Sequence, residues 1–154
     1  MSDPHVPKGA LLAAAGLIST ALLAVIAVRT GLTPPPATAE QQRVERHVSV
    51  AASRDLNFFD RKDGAVEVRD ARSRAVVAVV KPGMDQGFIR GVMRGLARDR
   101  RARGFGAGPP FRLTLYGNRE LSLLDLATGR RIELASFGNT NRDAFAALLR
   151  GASA

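Results

Sequence analysis

Residues 9–28, GALLAAAGLISTALLAVIAV, form a run of twenty positions without a charge, and no other feature restricts the chain as strongly. A helix rises about 1.5 Å per residue, so the run reaches about 30 Å, the thickness of a bilayer's hydrocarbon core. Lys8 and Arg29 bracket it. A cleaved signal peptide is the competing reading, with Ala37-Thr38-Ala39 as a small-x-small site. The run is longer than the roughly 7–15 apolar residues of a signal, and Pro34, Pro35 and Pro36 separate it from that site. It reads as an uncleaved transmembrane helix after a short tail, residues 1–8. Sidedness stays open, because Lys8 and the amino terminus precede the span while Arg29, Arg43 and Arg46 follow it.

Within the span, Gly9, Ala13, Gly16, Thr20, Ala24 and Ala27 recur at spacings of three and four. Ala13, Gly16, Thr20 and Ala24 form the centre of a face on which another membrane helix could pack closely. Seven alanines in twenty positions also generate such a face by composition alone. The span contains no histidine, so it offers no obvious axial ligand to a haem or chlorophyll.

Residues 29–47 hold the proline triplet and a polar run, and read as a semi-rigid linker. All eight aromatic residues lie beyond it, from Phe58 to Phe145, which places a soluble domain at 48–154. The formal charge is +9, with 21 of the 23 basic residues and 13 of the 14 acids after Thr30. An arginine-rich surface suits acidic protein, nucleic acid and lipid phosphate alike. The chain has no cysteine, which removes disulfides and thiolate chemistry.

The domain carries an internal repeat offset by 55 residues, about 55–104 and 111–151. In the first half, strand-like 55–60 leads through Asp63-Gly64 into 65–69, then through a polar turn into 75–80. In the second, 111–115 leads through Gly117-Asn118 into 121–123, and 125–129 turns into 131–134. Period-two alternation beside such turn residues marks antiparallel hairpins. Asp70 aligns with Asp125, Val79 with Leu134 and Gly83 with Gly138. Each half ends in a helix, with Asp85 and Thr140 as expected N-caps. The predicted fold is α+β: one transmembrane helix, then two pseudo-symmetric βββα repeats sharing an antiparallel sheet.

The first-repeat helix, GFIRGVMRGLARDRR at 87–101, is unusual. Phe88, Ile89, Val92, Met93 and Leu96 form its core face; Arg90, Arg94, Arg98 and Arg101 gather on the other side, and Gly87, Gly91 and Gly95 line a seam. Three helical glycines cost about 2–3 kcal/mol relative to alanine, large against a typical domain stability of about 5–15 kcal/mol. Three readings follow: glycines packed on the domain's own hairpin below a solvated charged face, a partner-binding face where another backbone approaches, or a lipid- or nucleic-acid-binding helix. No helix-turn-helix or aromatic RNA platform accompanies it. The counterpart helix at 140–150 keeps the core face and lacks both stripes.

Catalysis finds little support. His5 and His47 lie outside any cluster with metal-ligand spacing, most acids fall in turns, and Ser122 and Ser136 have no nucleophile-elbow context. The expectation is a protein with no catalytic, cofactor or metal site and no small-molecule substrate.

Arg54-Asp55-Leu56-x-Phe58, the 87–98 motif, Leu124-Asp125-Leu126-Ala127-Thr128-Gly129-Arg130, and Phe137-Gly138-x-Thr140-Asn141 with Phe145, Leu148 and Leu149 together resemble the PuhC family of photosynthetic complex assembly proteins of purple bacteria. The resemblance covers nearly the whole chain. It implies a single-pass protein of the bacterial inner, photosynthetic intracytoplasmic membrane, with its domain in the periplasm. It further implies a non-enzymatic role in assembling or organising the reaction centre and core light-harvesting polypeptides. Membrane lipid is a further expected partner and nucleic acid is not. One departure is Gly83-Met84-Asp85-Gln86-Gly87, where the family pattern has Gly-Thr-Asn-Gly. The alternative function is an anchored periplasmic binding module for an acidic protein or an anionic ligand.

Overall fold

The computed structural model describes residues 7–83 and 87–150. The chain divides into two compact units, Met1–Gln42 and Arg43–Ala154.

In the first unit, Lys8–Arg29 is one helix, α1, long and apolar enough to cross a membrane. At 22 residues it spans about 33 Å. Ala13, Gly16, Thr20 and Ala24 are all exposed, and the Thr20 hydroxyl donates back to the Gly16 carbonyl at 2.9 Å. A second helix, α2 at Ala39–Glu45, begins in the first unit, ends in the second with Arg43–Glu45, and occupies part of the stretch that reads as a linker. Its start is a capping box: the Thr38 amide donates to Gln41 Oε1 at 2.7 Å and the Gln41 amide donates to Thr38 Oγ1 at 3.3 Å. That pairing satisfies two amide hydrogens that a short helix otherwise leaves open.

The second unit is built on a six-stranded antiparallel sheet in the order β3-β2-β1-β4-β5-β6. Its strands are β1 Val50–Asp60, β2 Val66–Asp70, β3 Val76–Val80, β4 Phe111–Tyr116, β5 Leu121–Asp125 and β6 Arg131–Glu133. Helix α3, Gly87–Ala102, follows β3, and helix α4, Asn139–Arg150, follows β6 after a 3-10 turn at Leu134–Phe137. The strands alternate as the period-two pattern requires. Leu56, Val68, Leu113, Leu121 and Leu123 are fully buried on the face that meets Ile89, Met93 and Leu96 of α3 and Phe145 and Leu148 of α4.

Backbone hydrogen bonds recur at the same 55-residue offset. The Arg61 amide donates to Ala65 O at 2.8 Å, and the Tyr116 amide to Glu120 O at 2.9 Å. The Asp70 amide donates to Ala75 O at 2.9 Å, and the Asp125 amide to Arg130 O at 2.8 Å. Arg74 and Gly129, 55 positions apart, both take positive φ (62° and 73°), as do Gly64 and Arg119 at the same offset (78° and 67°). Leu56 pairs across the sheet with Phe111, 55 positions further on.

Thr140 is not a cap: α4 begins one residue earlier at Asn139, and the Gly138 carbonyl receives the Arg142 amide at 3.1 Å. Gly138 has φ 84°, which glycine adopts without a Cβ clash and which turns the chain out of the preceding 3-10 segment. Asp85, the other expected cap, lies outside the described residues.

Candidate docking face

Helix α3 separates its side chains by azimuth. Ile89, Met93 and Leu96 are buried against the sheet, with Phe88 and Val92 half-buried beside them. Phe88 is gripped by Phe137 and Phe145 of the second half, with ring centroids 5.1 and 5.9 Å away. Such ring contacts add about 0.5–1.5 kcal/mol beyond the area they bury, and they fix the helix's rotation.

That rotation turns the glycines outward. Gly87, Gly91 and Gly95 are exposed, and a Cβ built on any of them meets nothing within 4 Å. The glycines therefore do not pack on the domain's own hairpin, and that reading of the seam is corrected. No neighbour within the described residues requires their smallness.

The arginines divide as well. Arg94, Arg98 and Arg101 are exposed and Arg90 is half-buried. Among the described residues, none of these four has an ion-pair or hydrogen-bond partner. Arg100 behaves differently. It is 4% exposed, and its guanidinium holds the fully buried Asp125 carboxylate through contacts of 2.6 to 3.0 Å. It also lies 3.8 Å from the Phe111 ring centroid. Burial pushes the Asp125 carboxyl up, yet Arg100, the Ala127 amide and Thr128 outweigh burial and hold it below its ordinary value. Arg100 was hidden among the other arginines of the sequence. Its spacing of eleven, seven and four residues from Ile89, Met93 and Leu96 is the signal that places it on the core side.

Between α3 and the sheet runs a groove of about 460 Å³, floored by Phe58, Met93 and Phe111. Arg90, Arg94 and Arg101 stand on its rim. Thus α3 offers two adjoining surfaces, the open glycine stripe and this cationic groove. Arg98 lines only the former side.

The other sheet face carries a second arginine that sequence reasoning missed. Arg43, from α2, is 5% exposed and reaches Glu133 at 2.7 Å and Glu120 at 2.9 Å, with its guanidinium 4.3 Å from the Tyr116 ring centroid. The hydrogen bond to Glu133 raises its pKa most, burial opposes, and Glu120 adds to the rise. Arg43 in turn is the main cause that lowers the Glu120 carboxyl. The Thr38-x-x-Gln41 box predicts this short helix, but nothing in the sequence names the partners of Arg43. Among the described residues, no group of three or more His, Asp or Glu could hold a metal ion.

No curated protein and no solved structure matches this chain. A family model described as photosynthetic complex reorganisation protein PuhC matches residues 51–152, which include α3, α4 and all of the sheet except Val50 at the start of β1. With well over half of its length matched, the chain belongs to the PuhC family, whose role is the organisation of photosynthetic complexes.

Proposed function

We propose that this protein is a membrane-anchored, non-enzymatic assembly factor that holds the reaction centre or its core light-harvesting polypeptides through the exposed face of α3. In this reading α1 is a single-pass anchor in the photosynthetic membrane. Ala13, Gly16, Thr20 and Ala24 form its helix-packing stripe, and the domain at 48–154 works in the periplasm. The two halves are pseudo-symmetric repeats of one βββα unit; the matched turns and the Leu56–Phe111 pairing support this. One half kept a plain core-packing helix while the other gained a docking helix.

One observation carries the proposal. Gly87, Gly91 and Gly95 are helical and exposed, and among the described residues a Cβ on any of them would meet nothing within 4 Å, so the fold does not need their smallness. A backbone arriving from outside would use the space that they leave. Beside them, Arg90, Arg94, Arg98 and Arg101, without ion-pair partners among the described residues, present charge to an acidic partner. Unpaired guanidiniums of this kind accelerate encounter and set orientation.

The test is affinity purification of the tagged full chain from photosynthetic membranes. Changing Arg90, Arg94 and Arg98 together to Gln should reduce recovered reaction centre at low salt, where charge is least screened. Unchanged recovery would remove the electrostatic part of the reading. Exchanging α1 for an unrelated membrane helix, with assembled core complex followed by near-infrared absorption, tests the small-residue stripe separately.

A further inference from the structure

We propose that the groove beneath α3 binds the acyl chain of an anionic amphiphile, its head held by Arg90, Arg94 and Arg101. The cavity, about 460 Å³, lies within the roughly 300–1,000 Å³ of small-molecule sites. Its floor is apolar and rigid: Met93 and Phe111 are 7% and 6% exposed, and Phe58 meets Phe111 edge-on at 5.7 Å. At one end Phe105, 44% exposed, stands at the mouth from the loop after α3. Gly104, with φ 75°, ends the helix and turns the chain, and Phe105, Gly106 and Ala107 beyond it line the groove.

The charge pattern selects the ligand. Arg100 also borders the cavity, but Asp125 neutralises it. Three rim arginines remain without partners among the described residues, against a single acid, Asp60. An apolar floor under a cationic rim matches a chain with a carboxylate or phosphate at one end. A neutral chain would leave the rim uncompensated, and a small anion would leave the floor wet. The shared chemistry is one acyl chain with an anionic head, from a free fatty acid or a single-chain anionic phospholipid. This inference shares three arginines with the docking reading but does not require it, because the groove and the glycine stripe lie on different sides of α3.

The test uses the full chain in nanodiscs of zwitterionic lipid. The protein has no tryptophan, so Phe105→Trp supplies one reporter at the mouth of the groove. Palmitate and lysophosphatidylglycerol are titrated separately, with hexadecanol and inorganic phosphate as controls. A saturable fluorescence change with either anionic amphiphile supports the proposal, and the tighter of the two identifies the source. Arg90, Arg94 and Arg101 changed together to Gln should weaken binding by at least about tenfold, since each charge-assisted contact is strong. Ala97→Phe, at an exposed position on the groove wall, should abolish it while thermal melting stays unchanged. No saturation with either amphiphile, equal binding of hexadecanol, or an equal response to phosphate alone would overturn the proposal. Ala97→Phe leaves the glycine stripe intact, so recovery of reaction centre with that variant reads the docking reading independently.

Discussion

Replacing Gly91 and Gly95 with Ala should make the domain more stable. Both residues are inside α3, neither has a positive φ, and an added Cβ meets nothing within 4 Å. No steric cost therefore offsets the gain in helix propensity, about 0.8–1 kcal/mol per residue. Part of that gain comes from restricting the unfolded chain, which glycine leaves unusually free. Together the two changes should add about 1.5–2 kcal/mol. A domain of this size shifts its melting midpoint by roughly 4–8 °C per kcal/mol, so the midpoint should rise by about 6–16 °C. Circular dichroism melting of the chain from Arg43 onward measures this directly, with single variants to check additivity. A lower midpoint would refute the reasoning, because it would mean that the glycines already serve contacts within the domain. A higher midpoint with weaker partner recovery would identify the glycines as residues held for binding at the expense of stability.

Asp125→Asn should destabilise the domain by about 3–5 kcal/mol, because it leaves the Arg100 guanidinium buried without its counter-charge. The paired change Arg100→Met with Asp125→Leu should cost far less than the sum of the single changes, and urea unfolding of all three variants checks the coupling. Acid should weaken the fold. Asp70, Glu120 and Asp125 all have folded pKa values below their ordinary ones, held down chiefly by the Ser73 amide for Asp70, by Arg43 for Glu120 and by Arg100 against burial for Asp125. Each therefore contributes stability that is complete above its unfolded value and lost as pH falls through its folded value. Urea midpoints should be level above about pH 5 and fall below about pH 4, and a rise below that range would contradict the assignment.

Much of the fold is legible in the sequence because its signals are local. Asp63-Gly64 and the turn after Asp125 mark hairpins, and period-two alternation assigns the sheet face of Leu113, Leu121 and Leu123. The amphipathic pattern of α3 assigns its core side equally well. What escapes is decided by distant neighbours. Arg43 lies 77 and 90 residues from the glutamates it joins, and no local pattern announces that pairing. Arg100 reads as one more surface arginine until its azimuth is compared with that of Met93. The glycine stripe was ambiguous because spacing alone does not say whether a hairpin covers it. The rotation of α3, set by Phe88 between Phe137 and Phe145, decides that. Thr140 misled because a threonine before an apolar run resembles a cap, whereas Gly138 sets the turn.

The most direct test of the central claim is recovery of the reaction centre with a tagged full chain carrying Gly91→Leu and Gly95→Leu. Leucine is a strong helix former and the space around both positions is open, so the domain should melt no lower than the parent protein. Filled glycine positions on an intact domain should hold an approaching backbone away and sharply reduce co-purified reaction centre. Full recovery of the complex by the folded double variant would contradict a docking role for this face of α3.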